Sequence, residues 1–193
     1  LDNGANADCR PEYLVQFARM GSAYIRSAVG VENPRVGLLN IGTEDTKGGE
    51  LQKESYNLLK NAPINFVGNV ESREIPKGDI DVVVTDGFTG NIALKLIEGV
   101  SLTMFSMIKK VLYSSLKNKI AALMIKKGLY EIKAKSDYTE IGGAPLLGTC
   151  KPVFKAHGSS NGKAIKNAIG KAAAFAGNGV IEKISGSLAA NEE

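Results

Sequence analysis

The sequence predicts an α/β fold, a mostly parallel β-sheet with helices on both faces. Three observations predict it. Short runs of aliphatic and β-branched residues (RVGLLN at 35–40, INFV at 64–67, DVVVT at 81–85) alternate with longer segments of helical period. Glycine-containing turns follow the apolar runs, where such folds pass from strand to helix. The 193 residues are 44% hydrophobic, enough for one large or two small cores.

The elements follow in order. Leu1–Asp2 reads as the end of a strand, and the LDNGAN opening suggests that further chain precedes it. Pro11 suits a first helical position, and Glu12 sits by the positive end of the helix dipole. That helix is expected to run to about Val29, with Leu14, Phe17, Ala18, Gly21 and Ile25 on one face. Arg35–Asn40 reads as a buried strand, Gly49–Asn61 as a helix, Ile64–Val67 as a short strand and Asp81–Thr85 as the strongest strand. A long helix is expected from about Asn91 to Lys117, and a second around Ile120–Gly128. Tyr138–Gly148 reads as a loop, Pro152–Ala156 as a strand, Ser160–Ala176 as a helix and the tail from Val180 as a helix that frays at Asn191–Glu193. The expected organisation is a single α/β domain over 1–193, with 113–137 as a protruding helical insertion.

Charge is unevenly spread. Ser101–Lys135 holds eight lysines against Glu131, a net +7, which leaves −3 for the rest of a chain whose total is +4. An anionic partner is therefore met locally, and nucleic acid is not indicated. Cys9 and Cys150 have no metal-ligand spacing and read as free buried thiols. No secretory signal is visible, and no uninterrupted apolar run reaches the roughly 18 residues that span a bilayer. The expectation is a cytoplasmic protein without metal or cofactor.

Four loops after predicted strands combine Gly with Asn, Ser or Thr. They hold Asn3, Gly4 and Asn6; Asn40 and Gly42; Asp86, Gly87, Thr89, Gly90 and Asn91; and His157, Gly158, Ser159 and Ser160. Glycine lets the backbone approach a ligand, and the side chains offer neutral donors to oxyanions. Each loop is also readable as an ordinary helix cap, with Thr89 or Asn91 and Ser160 or Asn161 in that role. Four of them on one edge of one sheet point to a site for a phosphate-like anion. None matches a P-loop or a G-x-G-x-x-G fingerprint, so a nucleotide is not indicated. His157, the sole histidine, reads either as structural or as a group that polarises a carbonyl or protonates a leaving thiolate. Asp86 either anchors loop N–H groups or orients a lysine, and Lys95 either neutralises an anion or lies on a solvated face. His157, Asp86 and Asn91 are the catalytic candidates; the other loop residues are candidates for phosphate and substrate binding.

Phe105, Ile108, Leu112, Leu116, Ile120 and Leu123 recur at helical spacing, with lysines over much of the remainder. The stripe packs in the core, pairs with a second subunit or lies on an anionic membrane. Beyond about Tyr113 the expected use is a dimer contact whose tip touches lipid, through Leu116, Leu123, Met124, Lys126 and Lys127.

Together LDNGAN (1–6), PRVGLLNIGTEDTKG (34–48), INFVGNVE (64–71), DVVVTDGFTGN (81–91), YTEIGGAPLLG (138–148) and KAHGSS (155–160) resemble the bacterial phosphate acyltransferases of phospholipid synthesis. The resemblance covers nearly the whole chain. It implies transfer of a fatty acyl group from acyl carrier protein to inorganic phosphate, giving acyl phosphate. It further implies an architecture like isocitrate and isopropylmalate dehydrogenases, a homodimer, peripheral membrane association, and a longer N-terminus carrying a further glycine-rich strand-loop. The loop residues above, through Ser159, would line the cleft. An NAD(P)-dependent decarboxylating dehydrogenase of the same fold and a non-enzymatic tether for carrier protein or membrane are the alternatives.

Overall fold

The computed structural model describes residues 1–135, 142–158 and 160–189, with the side chains of 133–135 excepted. The chain divides into two compact units: Leu1–Ala93 with Leu147–Pro152 and Ala174–Glu193, and Leu94–Leu146 with Val153–Ala173.

The first unit is α/β. Helix α1 (Pro11–Tyr24) begins with the expected proline and continues as a π-helical turn to Val29, closed by Gly30 at φ 85°. Strand β1 (Arg35–Asn40) is central, with β2 (Asn65–Glu71) and β3 (Val82–Val84) parallel on either side. Helix α2 (Glu50–Lys60) connects β1 to β2. A 3₁₀ turn at Ser72–Lys77 was not expected; Glu74 pairs there with both Arg73 and Lys77. Leu1 donates to the Val83 carbonyl and accepts from Thr85 N–H, a parallel bridge beside β3, as its strand-end reading anticipated.

Burial explains the pattern. Val36 and Leu38 of β1 meet Leu14 and Ala18 of α1, Leu59 of α2, and Val82 and Val84 of β3 in one apolar cluster. Of the predicted α1 stripe, Leu14 and Ala18 lie inside the cluster and Phe17 and Ile25 pack at its margin, and Gly21 brings α1 close to β3, since a Cβ there would sit 2.7 Å from Val82 Cγ1. Strand β2 is longer than INFV because a register shift between Val36 and Gly37, opposite Gly68 at φ 98°, lets pairing continue to Glu71.

In the second unit, helix α3 (Gly87–Leu112, whose first residues belong to the first unit) ends earlier than expected and α4 (Leu116–Lys135) starts earlier. The break at 113–115 has local causes. Asn118 Nδ2 reaches the Val111 carbonyl at 3.0 Å, and Ser115 Oγ accepts from Asn118 N–H at 3.1 Å as a helix cap. Strands β4 (Gly143–Pro145) and β5 (Phe154–Ala156) pair antiparallel, so part of the predicted 138–148 loop is a strand. Residues 138–141 of that loop lie outside the described residues. Helices α5 (Gly162–Gly177) and α6 (Val180–Ala189) complete the order; the frayed end expected at 191–193 also lies outside them.

Three expectations are corrected. The strand before His157 belongs to the β4–β5 ribbon and not to the parallel sheet. Only eight residues separate the two strands, enough for a hairpin and too few for a parallel crossover. The thiols are less buried than expected: Cys9 is half-buried and Cys150 exposed. Finally, α3 is long and apolar enough by composition to cross a membrane, and none of its apolar window is buried. Uninterrupted runs miss it, because Lys95 and Glu98 interrupt the sequence while pairing with each other at 2.8 Å.

Candidate active site at the carboxyl edge of the sheet

The carboxyl ends of Leu1, β1 and β3 bring three of the predicted loops to one edge of the first unit. In the first loop the organiser is Asp2. Its φ of 75° turns the chain back on itself. Its carboxylate then accepts from the N–H groups of Gly4 (2.9 Å), Ala5 (2.7 Å) and Asn6 (2.9 Å), and from Asn6 Nδ2 (2.8 Å). Burial acts to raise the Asp2 pKa; the bonds from Ala5, Asn6 and Gly4 outweigh it and hold the group below its usual range. Asn3, Gly4 and Asn6 are exposed, and Gly4 faces Asn91, whose side chain lies 3.5 Å from where a Cβ would stand.

Asp86 is buried at the end of β3 and caps α3. Its Oδ1 accepts from Thr89 N–H and its Oδ2 from the Thr89 hydroxyl, both at 2.8 Å. Of the two roles open to Asp86, the geometry assigns loop anchoring. It also explains why α3 starts at Gly87 and not at Asn91: the cap is the acid, and Thr89 is its partner. Gly87 N–H donates to the Asn6 carbonyl at 2.8 Å, and a Cβ on Gly87 would sit 2.7 Å from the same oxygen. The first loop thus lies directly on the first turn of α3, which only glycine at 87 and 90 permits. Asn91 is exposed beside it.

The β1–α2 loop is fixed from within. Asn40 donates from Nδ2 to the Lys47 carbonyl at 3.1 Å and accepts from Ile41 N–H at 2.8 Å. Gly42 is buried under the Glu44 and Lys47 side chains, which form a loose ion pair at 3.9 Å. Gly48 at φ 89° admits Asn40 Oδ1, 2.7 Å from where a Cβ would stand, and the Gln52 side chain reaches back to Gly49 N–H at 3.1 Å to cap α2.

His157, Gly158 and Ser160 belong to the second unit. His157 and Gly158 are exposed, and the His157 carbonyl accepts from Ser160 N–H at 3.0 Å. Asn161 is the cap of α5, accepting from Ala164 N–H at 3.0 Å, so the alternative cap, Ser160, is left with a buried hydroxyl that has no partner among the described residues. Ser159 lies outside the described residues. Leu116, Leu123, Met124, Lys126 and Lys127 are all exposed on α4, with Lys126 Nζ lying 5.7 Å from the Tyr130 ring centroid.

Two of the donor sets predicted for an anion are therefore occupied by the chain's own carboxylates, Asp2 in the first loop and Asp86 at α3. Among the described residues, what remains at this edge is side-chain amide from Asn3 and Asn91 and the Lys47 ammonium, loosely paired with Glu44 at 3.9 Å. Sequence reasoning missed Asp2, although an acid followed by Asn-Gly and a second Asn is the pattern of an acid that bonds its own turn. Cys9 lies next to this loop, its Sγ 3.5 Å from the Asn6 carbonyl. Burial pushes its thiol pKa up, Gly87 N–H lowers it, and the carboxylates of Asp2, Asp86 and Asp8 raise it further, an environment unsuited to a thiolate nucleophile.

The model of the fatty acid synthesis protein family matches residues 1–183. The chain belongs to that family. Curated relatives named phosphate acyltransferase resemble the chain closely. That of Clostridium acetobutylicum is 53% identical over 97% of the chain and 56% of its own length. Those of Lysinibacillus sphaericus (55% identical, 96% and 56%) and Oceanobacillus iheyensis (58%, 89% and 52%) are similar. The family resemblance drawn from the motifs holds, and the relatives give no support to the dehydrogenase or tether alternatives. This family member spans about half the length of the curated relatives it matches.

Proposed function

We propose that the chain is part of a phosphate acyltransferase, which moves a fatty acyl group from acyl carrier protein to inorganic phosphate for phospholipid synthesis. One observation carries the reading: relatives bearing that name are 53–58% identical across 89–97% of the chain. The edge described above supports it. Side-chain amides of Asn3 and Asn91 lie at the strand ends, and among the described residues neither a thiolate nor a hydroxyl elbow is set up as a nucleophile.

In the proposed reaction a phosphate oxygen attacks the thioester carbonyl carbon. The new C–O bond forms, the C–S bond breaks, and the carrier sulfur leaves and takes a proton. Holding both reactants in line supplies much of the acceleration. Asn3 and Asn91 offer donors to the phosphate, with the exposed Gly4 leaving the rim open beside Asn91, while Gly42 seats the Glu44 and Lys47 side chains over the β1–α2 loop. The resemblance adds His157, Gly158, Ser159 and Ser160 as substrate-binding candidates, with His157 proposed as the proton source for the leaving sulfur. Asp86 acts by holding the α3 turn.

The wider reading follows the resemblance: a dehydrogenase-like architecture, a cytoplasmic homodimer, and segment 113–137 as an insertion that touches anionic lipid. The exposed Leu116, Leu123 and Met124 among lysines support the last point. The test is release of acyl phosphate from acyl carrier protein thioester by the natural gene product. Phosphate-dependent acyl phosphate is the expected result, and hydrolysis alone or no reaction overturns the reading.

A further inference from the structure

Two neighbouring strands each send a buried amide to the Glu44–Lys47 turn. Asn69 of β2 donates from Nδ2 to the Glu44 carbonyl at 2.7 Å, and Asn40 of β1 donates to the Lys47 carbonyl at 3.1 Å. The turn already closes on itself through Lys47 N–H to the Glu44 carbonyl at 3.2 Å. The amides therefore add placement to a turn that needs no help to form.

They differ in one respect. Asn40 uses both ends of its amide, because Oδ1 accepts from Ile41 N–H. Asn69 is 6% exposed, and its Oδ1 is buried with no partner among the described residues. The assignment of nitrogen and oxygen is forced: the Glu44 carbonyl only accepts, so nitrogen must face it and oxygen is left over. A buried acceptor without a partner is unfavourable, and an apolar residue in the strand would avoid it. The amide is thus present for its donor end, and that end acts only on the turn.

The turn carries the Lys47 ammonium and leads through Gly48 and Gly49 into the N-terminus of α2, an edge that favours anions. We propose that Asn69 is a positioning residue for the phosphate substrate, acting through the Glu44 carbonyl to set the turn at the carboxyl edge. The proposal rests on the acyl-transfer reading and extends it to a strand residue that no loop motif marks.

Asn69→Asp tests it. The new carboxylate has no donor and repels the Glu44 carbonyl; once protonated, its O–H restores the bond. Initial rates of acyl phosphate formation by the natural gene product, wild type beside variants, are measured against phosphate and acyl carrier protein between about pH 6 and 8.5. At the alkaline end Asn69→Asp is expected to raise the phosphate KM roughly tenfold, with the carrier KM within about twofold. The deficit is expected to shrink as pH falls. Asn69→Leu, which never has a donor, is expected to keep its deficit at every pH. A phosphate KM within about twofold of wild type in Asn69→Leu overturns the proposal, as does equal loss in both KM values and kcat with no pH recovery. A wild-type protein that forms no acyl phosphate overturns the acyl-transfer reading itself and takes this proposal with it, a result separable from an active wild type beside unaffected variants.

Discussion

Gly90, in the first turn of α3, lies so close to Asp2 that a Cβ on it would overlap the Asp2 carbonyl oxygen. The helix and the loop after Leu1 are packed backbone to backbone, with Thr85 Cγ2 2.9 Å from the same Cβ position. Helix propensity alone favours alanine over glycine by about 1 kcal/mol. Here sterics reverse the sign. Gly90→Ala is expected to destabilise the protein by roughly 1–3 kcal/mol. Gly99, further along the same helix with nothing within 4 Å, is the control. Gly99→Ala is expected to stabilise by about 0.5–1 kcal/mol. Urea unfolding of both variants checks the prediction, and two shifts of the same sign would contradict it.

The Asp2 carboxylate gives the same loop a pH dependence. Its folded pKa lies below the usual carboxylate range, burial being outweighed by the bonds from Ala5, Asn6 and Gly4. A depressed carboxylate contributes stability that is complete above the unfolded pKa and fades as pH falls through the folded one. The contribution is thus expected intact above about pH 4 and lost progressively below it. Asp2→Asn removes this dependence while tolerating the positive φ. The measurement is the difference in unfolding free energy between wild type and Asp2→Asn from neutral to acid pH. A difference that stays constant through the acid range counts against the Asp2 carboxylate as the organiser of the loop.

Asp86 separates charge from hydrogen bonding. Asp86→Ala loses both bonds to Thr89 and is expected to cost about 1–2 kcal/mol, the usual worth of a helix cap. Asp86→Asn keeps an oxygen for Thr89 N–H and offers an N–H to the Thr89 hydroxyl, so a smaller loss is expected. Thermal unfolding ranks them, at roughly 2–4 °C per kcal/mol for a chain of this size. Equal losses would mean that charge, not bonding, is what Asp86 supplies.

Much of this was legible in the chain. Pro11, the Leu14–Ala18–Gly21 face and the apolar runs at 35–40 and 81–85 report burial, and burial sets the first unit. The motifs reached the family because they are long and cover nearly every loop. Other features turn on single contacts that periodicity does not encode. Asp86 starts α3 four residues early because a buried acid outcompetes Thr89 as a cap. The strand before His157 joins a hairpin because the connection to β4 is short. Asp2 carried a turn pattern that sequence reasoning missed, and the role of Asn69 appears only when the Glu44 carbonyl it meets is known.

Segment 113–137 yields a prediction of the proposed membrane contact. Leu123 and Met124 are 71% and 83% exposed, with Lys126 and Lys127 beside them. Each apolar side chain moved from water into lipid contributes roughly 1.5–3 kcal/mol, and each lysine near an anionic surface about 1 kcal/mol. Leu123→Glu with Met124→Glu replaces both terms with repulsion, so a more than tenfold fall in the fraction floating with anionic vesicles is expected, by roughly 3–6 kcal/mol of lost contact. Neutral vesicles and raised salt are expected to weaken the wild type, since they remove only the lysine part. Acyl phosphate formation from carrier protein in free solution is expected to persist in the double variant, because α4 is not part of the proposed cleft. Unchanged flotation of the double variant would assign these side chains to a protein contact and end the lipid reading.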